Sequence, residues 1–343
     1  MARPATRRIL VVGAGLSGAV IARELADAGI GVTVIDKRAH VAGNAHDELT
    51  AHGIRRHRYG PHMFHTSNGE VVEWLQRFTA WVPYRHRGKA MLADGRLVTF
   101  PPNRDTAAIV GRDKILDIFY RPYTRKMWGR PLEELHPSLI ARVPVRDDDC
   151  EDYFPNDTFQ ALPLHGYTRM VENVLDHPLI TLRLEQPYDT PLKAGAEHVF
   201  NSMPIDEYFG FALGELPYRS IRFHHFDLPV PRLYPVPIVN FTHDGAFSRV
   251  TEWKNFPAHG ENPAMTTITV EEPCDYRDND MERHYPVKDR DGANLALHRR
   301  YKSMVPNDMT FVGRCGTYAY LDMHQAVNAA LAQARRYLAR PPA

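Results

Sequence analysis

The chain has 343 residues, 43% of them hydrophobic, enough apolar matter to bury a sizeable core and to build more than one compact unit. Lys and Arg number 42 against 41 Asp and Glu, so no global basic field points to nucleic acid and no polybasic run points to a membrane; an anionic ligand must be met by locally placed arginines. The cysteines, Cys150, Cys274 and Cys315, are sparse and widely spaced, which gives neither a disulfide framework nor a metal site and fits a reducing cytoplasm.

Arg7 and Arg8 ahead of the apolar run Ile9 to Ala22 imitate a secretory leader, but the glycines inside that run have a better use. No apolar stretch reaches the ~20 residues that span a bilayer. Ile9-Leu10-Val11-Val12 reads as a buried parallel strand. It meets Gly13-Ala14-Gly15-Leu16-Ser17-Gly18, and Ala19 to Ala28 follows as a helix that stops at Gly29. Gly31 to Ile35 is the next strand, with Asp36 at its end. In this order Gly13 permits a tight turn, Gly15 lets the backbone approach a pyrophosphate, and Gly18 lets helix and strand pack closely. Leu16 and Ser17 lie in the helix N-terminus, whose free N–H groups favour phosphate, and Asp36 is placed for ribose hydroxyls. The fingerprint alone does not separate NAD from FAD. A second glycine turn directly after the acid, Lys37-Arg38 and then Val41-Ala42-Gly43-Asn44-Ala45, suits a flavin dinucleotide, with Arg38 as a phosphate or adenine contact.

Further along, residues 80 to 103 and 210 to 290 are β-branched and proline-punctuated, which predicts an antiparallel sheet, and residues 105 to 140 read as helical. His198 to Ser202 and Met309 to Val312 are strands returning to the first domain. Asp322 is placed to cap a helix from Met323 to Leu338, with Met323, Val327, Ala330 and Leu331 on one face. The dipole of that helix would favour an anionic reduced flavin. Histidine is common, 18 in all, so a lone histidine carries little weight, and no His-x-x-x-His set supports a metal.

The segment Tyr59-Gly60-Pro61-His62-Met63-Phe64-His65-Thr66, with the fingerprint, resembles the UDP-galactopyranose mutases. The likeness continues through Tyr123 to Arg130, Val143-Pro144-Val145-Arg146, Gly166-Tyr167-Thr168, Met203 to Phe209, Ser248 to Glu252, His284-Tyr285-Pro286-Val287, Gly313-Arg314, and Tyr318 to Gln325. The resemblance implies an unusual reaction: N5 of reduced FAD attacks the anomeric carbon, the diphosphate leaves, the sugar ring opens on a flavin–sugar iminium and recloses through another hydroxyl, with no net oxidation. It implies that Arg146 and Arg249 hold the diphosphate or sugar, that Arg314 lies beside flavin and substrate, and that Tyr285 and Tyr320 donate phenols to the diphosphate. It further implies substrate contacts from Tyr123, Phe159, Asn240 and Tyr318. Trp128 would sit on a mobile loop hinged at Gly129. Tyr59, Gly60 and His62 would meet the flavin, with the His62 carbonyl facing N5–H, and Asp322 and Met323 would present the last helix to it.

The sequence departs from the family pattern in a much shorter helical insert, in Phe159 where a tyrosine is usual, in Tyr320-Leu321 where a tyrosine pair is usual, and in His284 before Tyr285. These changes predict altered choice of sugar or base and a homodimer, if formed, through a non-standard interface. The fold expected is α/β: a discontinuous Rossmann-like FAD domain (1–78, 180–212, 300–343), a small helical insert (104–142) and an antiparallel sheet domain (79–103, 143–179, 213–299). The expected partners are a nucleotide sugar and a reductant such as NAD(P)H. Two other readings stand beside the mutase: a flavin amine oxidase or desaturase on the same fold, and a non-catalytic nucleotide-sugar-binding flavoprotein.

Overall fold

The computed structural model describes residues 8–136, 145–189, 192 and 195–340; Arg7, Val143 and Pro144 lie outside them. The chain opens with β1 (Arg8–Val12), α1 (Leu16–Asp27) and β2 (Gly31–Ile35), followed by a hairpin of β3 (Asp47–Leu49) and β4 (Arg55–His57). Then come β5 (Phe64–Thr66), α2 (Gly69–Gln76), whose first turn is capped by the Asn68 side chain, β6 (Trp81–Pro83), β7 (Gly88–Met91) and β8 (Leu97–Phe100). The helical insert holds α3 (Arg104–Val110), capped by Asn103, and α4 (Arg121–Trp128), which a π turn at Leu116–Tyr120 precedes.

After it come β9 (Phe159–Pro163), α5 (Gly166–Leu175), β10 (Ile180–Arg183), β11 (His198–Asn201) and α6 (Ile205–Tyr208). The chain continues with β12 (Tyr218–Leu228), β13 (Ile238–Phe241), β14 (Arg249–Glu252), β15 (Thr266–Asp275) and β16 (Tyr285–Pro286). It closes with α7 (Ala293–Ser303), β17 (Met309–Phe311), α8 (Gly313–Gly316) and α9 (Met323–Leu338).

The first sheet has the order β10-β2-β1-β11-β17, and every pair in it is parallel. The central strand β1 is apolar on both faces, as a parallel strand covered on both sides requires, while the edge strand β10 is largely exposed. Ile9, Val11 and Val34 enter one core cluster with Ala22 and Leu25 of α1. Leu10, Val12 and Ile35, one residue out of phase, enter another with Val199 and Met309. Each fully buried Val, Leu or Ile here contributes roughly 1.5–3 kcal/mol. Helices α1, α5 and α9 share the first cluster through Ile21, Val171 and Leu331.

The large sheet, β16-β12-β15-β14-β13-β7-β8, is antiparallel at every step except β13–β7, which is parallel. An antiparallel sheet was expected, and the β13–β7 step alone departs from it; the two strands come from chain segments far apart, so no hairpin forces them to oppose. A second difference lies in residues 143 to 179, expected in this sheet domain. β9 instead pairs with β5 and β6 in a small three-stranded sheet, and α5 packs on the parallel-sheet core. Cys150, Cys274 and Cys315 are free thiols. Among the described residues no helix is long and apolar enough to cross a membrane, and no group of three or more His, Cys, Asp or Glu could hold a metal ion.

Candidate active site

A cavity of about 350 Å³ opens above the C-terminal ends of β1, β2 and β11, where the strand order reverses direction around β1. Its floor is built by close backbone approach. Gly13 has φ +104°, and a Cβ there would lie 1.9 Å from Ser202 Oγ. A Cβ on Gly18 would lie 1.9 Å from the Gly13 carbonyl oxygen and 3.0 Å from Val11 Cγ1. Gly43, at φ +54°, brings the second glycine turn onto the first: a Cβ there would stand 3.1 Å from Gly15 Cα, and Ala42 N donates to Ala14 O at 2.9 Å. The N-cap of α1 is Gly15, which has no capping side chain, so the first-turn N–H groups are left for a ligand.

The Asp36 carboxylate accepts from Ala14 N at 2.8 Å and Arg38 N at 2.9 Å, which fixes it at the rim. Leu16, Ser17, Lys37 and Asn44 complete this wall. Arg38 is no solvated surface arginine: it donates to Asn44 Oδ1 at 3.0 Å, pairs with Glu282, and lies 4.6 Å over the Tyr59 ring. An uncapped helix N-terminus, paired turns packed too closely for a Cβ at Gly13, Gly18 or Gly43, and a rim carboxylate together fit the diphosphate and ribose of a dinucleotide.

The other end of the cavity is lined by His62, Arg314, Leu321, Met323 and Ala326. Helix α9 begins there with a capping box: the Asp322 side chain accepts from the backbone of Gln325, whose side chain accepts from Asp322 N at 2.9 Å. The Asp322 carboxylate is thus occupied in starting the helix, while Met323 reaches the cavity. His62 Nδ1 bonds the Gly60 carbonyl at 2.8 Å, its backbone N–H donates to His57 Nδ1 at 3.0 Å, and its carbonyl accepts from the Tyr167 hydroxyl at 3.1 Å. Burial lowers the His62 pKa to about 4, and Arg314 and Arg249 push the same way, so the ring is neutral at ordinary pH.

Beyond Arg314 lies a cluster of cationic and phenolic groups. The rings of Tyr285 and Tyr320 stack at 5.3 Å, and the Arg314 guanidinium stands over both, at 5.5 and 5.1 Å. Arg314 is held by the carbonyls of His284 (3.1 Å) and Leu321 (2.7 Å). Trp128 closes one side, edge-on to Tyr285 at 6.4 Å. Arg249 stands on β14 with Asn240 opposite it on β13. Asn240 Nδ2 donates to the Lys89 carbonyl at 3.2 Å. Arg249 Nε approaches Glu271 Oε2 to 2.8 Å, off the line of a good hydrogen bond, and is best described as an ion pair. Burial raises the phenol pKa values of Tyr123 and Tyr285, against the pull of Arg249 on each, so both stay protonated donors. Tyr123 is 38% exposed as a whole, and its hydroxyl feels Arg249, Tyr320 and Tyr285.

Four of the expected contacts take other roles. Arg146 is buried and spends its guanidinium on the carbonyls of Cys150 (3.3 Å), Asp152 and Tyr153 (3.1 Å), so it organises the loop ahead of β9. Tyr318 is 2% exposed and shares its hydroxyl proton between the carbonyls of Pro217 (2.8 Å) and Val287 (2.9 Å), which makes it a core residue. Trp128 is on no loop: it is the last residue of α4, Gly129 at φ +64° is the helix C-cap, and Arg219 binds the carbonyls of Met127 (2.8 Å) and Lys126 (3.1 Å). Phe159 packs its ring against Phe64 (6.0 Å) and Trp81 (5.4 Å). Tyr59 and Gly60 stand behind the cavity wall, where Tyr59 bonds His40 Nε2 at 2.9 Å and Gly60, at φ +84°, clears the Phe223 ring.

Sequence reasoning missed Glu271, the buried counter-charge of Arg249. A signal existed, because the alternation of β15 sets Glu271 opposite Arg249 in register. It also missed Glu282 and Arg283, which line the cavity from a loop with no motif of its own.

Residues 118–320 match the family model described as UDP-galactopyranose mutase, and residues 11–78 match the NAD(P)-binding Rossmann-like domain. The chain is 31% identical to the UDP-galactopyranose mutase of Mycoplasma pneumoniae over an alignment of 384 positions that covers 96% of each chain. It is 30% identical to the dTDP-fucopyranose mutase of Escherichia coli, covering 96% of this chain and 98% of the other. An alignment of 384 positions exceeds the 343 residues present, so the Mycoplasma relative carries segments that this chain lacks. In fold the chain is similar to the crystal structure of reduced UDP-galactopyranose mutase, with a TM-score of 0.76 at 15% identity, covering 98% of this chain and 94% of that one.

Proposed function

The chain belongs to the UDP-galactopyranose mutase family, and from that premise we propose that it binds FAD and, with the flavin reduced, interconverts the pyranose and furanose forms of a nucleotide-diphosphate hexose. The observation that carries the reading is the cluster of Arg249, Tyr285 and Tyr320 around Arg314, which itself lines the dinucleotide cavity. An amine or a fatty chain offers nothing for two guanidiniums and two phenols to hold. A departing diphosphate concentrates negative charge that such donors stabilise most as the bond breaks.

Reduced FAD, when bound, supplies a nitrogen nucleophile for the anomeric carbon, and a reductant such as NAD(P)H keeps it reduced. Everything else falls to side chains. Glu271 takes the Nε edge of Arg249 and leaves its two terminal nitrogens for bidentate contact with phosphate oxygens. Tyr285 and Tyr320 donate phenolic protons to the same group; burial raises the Tyr285 phenol pKa, and the two rings stack on each other. Arg314, fixed by two carbonyls, lends positive charge between cofactor and substrate. His62 stays neutral and so does not compete as an acid; its carbonyl, held by the Tyr167 hydroxyl, would be offered to the bound flavin. Trp128, 8% exposed, walls off water from the opened sugar.

The test is to reduce the flavin-loaded protein with dithionite, add UDP-galactose, dTDP-fucose and a panel of other nucleotide hexoses, and separate ring forms by chromatography. Exchange on at least one donor, absent when the flavin is oxidised, is expected. No exchange on any donor with reduced FAD bound would contradict the reading.

A further inference from the structure

Asn279 to Arg283 cross the rim of the dinucleotide cavity ahead of β16, and Met281, Glu282 and Arg283 form part of its wall. Both ends of this span are rooted. The Asn279 amide donates to Ser220 Oγ at 2.9 Å and to the Ile221 carbonyl at 3.2 Å. At the other end His284 N donates to the Arg219 carbonyl at 3.1 Å, and Arg314 donates to the His284 carbonyl. Between the roots the backbone is strained: Asp280 at φ +49° and Met281 at φ +59° are consecutive non-glycine residues in the left-handed region.

Two ion pairs tie the span to opposite walls. Glu282 pairs with Arg38 on the β2 side, a post already fixed by Asn44 and Tyr59. Arg283 pairs with Glu207 of α6 at 2.6 Å on the β11 side. The two arginines differ in access to water, although Glu207, at 37% exposed, is more open than Glu282. The Arg283 side chain is 4% exposed and lies over the rings of Tyr276 (4.8 Å) and Tyr218 (5.6 Å). Glu282 and Arg38 are 29% and 18% exposed, so water can replace their contact.

We propose that Asn279–Arg283 is a latched strap that gates passage of the dinucleotide, with Arg283 as its fixed side and the Glu282–Arg38 pair as the latch that opens. The inference rests on reading the cavity as an FAD site. Strain at Asp280 and Met281 favours opening, since both return to ordinary backbone conformations once the strap is free. The ion pair opposes it and holds the strap across the rim whether or not the cofactor is inside.

A latch differs from a binding contact in its kinetics: weakening it speeds entry and exit together and leaves affinity alone. FAD release from the holoprotein is followed by recovery of flavin fluorescence on dilution, and rebinding to the apoprotein by its quenching. In Glu282→Gln both rate constants should rise about five- to tenfold, the scale of a partly exposed ion pair, so that Kd changes by much less than either rate. Raising salt should accelerate release from the wild type more than from Glu282→Gln. Met281→Gly, which relieves strain in the latched state, should slow both steps. Unchanged rates in flavin-loaded Glu282→Gln, or a faster release with a matching loss of affinity, would overturn the gate alone. A wild-type protein that takes up no FAD would sink the cofactor reading and the gate together.

Discussion

Replacing Gly18 with alanine sets two effects of opposite sign against each other. Gly18 lies within α1, where alanine is the better helix former by about 1 kcal/mol. The new methyl, however, would sit 1.9 Å from the Gly13 carbonyl oxygen and 3.0 Å from Val11 Cγ1. Ordinary non-bonded separation is about 3.5 Å, so helix and strand must part by more than 1 Å at a point where both are backbone and neither can rotate away. Overpacking of this kind costs about 3 kcal/mol or more and outweighs the propensity gain. It also draws the N-terminus of α1 away from the phosphates. The expected outcome in Gly18→Ala is a melting temperature lower by about 5 °C and FAD affinity reduced at least about tenfold, read by calorimetry and flavin fluorescence. The control is Gly69→Ala in the first turn of α2, where a Cβ meets nothing within 4 Å; it should leave FAD binding alone and stabilise by up to about 1 kcal/mol. Wild-type stability and affinity in Gly18→Ala would refute the close-approach argument.

Arg249→Ala should lower kcat at least about a hundredfold, as removal of a charge-stabilising donor does. It should also cost about 3–5 kcal/mol of stability by stranding Glu271, which is 1% exposed. Adding Glu271→Gln should restore much of that stability in denaturant titrations and none of the turnover. Tyr318→Phe should lose about 1–2 kcal/mol with unchanged kcat/KM, because its hydroxyl serves two backbone carbonyls; Tyr285→Phe should do the reverse. Stability should fall steeply on acidification. Burial lowers His62 and His259 to about 4 and His86 and His284 to about 3, so these imidazoles are neutral when folded and charge on unfolding below about pH 6.5. A depressed histidine pKa gives stability that is present above the unfolded value and lost as pH falls toward the folded one. With four such groups the slope approaches about 5 kcal/mol per pH unit, enough to exhaust a typical folding free energy between pH 6.5 and 4. Denaturant titrations at pH 7, 6 and 5 check this, and a flat profile would contradict it.

The parallel sheet and its cofactor cradle are legible in the sequence because local chemistry decides them. A β-branched run, glycines at fixed spacing and an acid at the next strand end admit few structures, and Asp322 with Gln325 spells a capping box. The phenols were harder. Tyr318 and Tyr320 are two residues apart and alike in type, yet one is in the core and the other stacks on Tyr285; only the path of the chain after α8 separates them. Arg146 reads as a free cation until the 150–153 loop folds over it. Trp128 was readable: a glycine after an aromatic at the end of a helical stretch is a C-cap signal, and the resemblance to a mobile loop overrode it. Glu271 was within reach of strand alternation once β14 and β15 were paired, whereas the parallel β7–β13 pair depends on register across more than a hundred residues, which no local pattern carries.

Whether the arginine–tyrosine cluster holds a diphosphate that departs is tested most directly by labelling the oxygen between the sugar and the β-phosphorus of the nucleotide sugar with ¹⁸O. In the reduced holoenzyme the freed β-phosphate can rotate before recapture, so the label should spread into non-bridging positions, and should do so at least about a hundredfold more slowly in Arg249→Ala. Ring-form exchange with the label kept wholly in the bridge would contradict departure of the diphosphate and the role assigned to these residues.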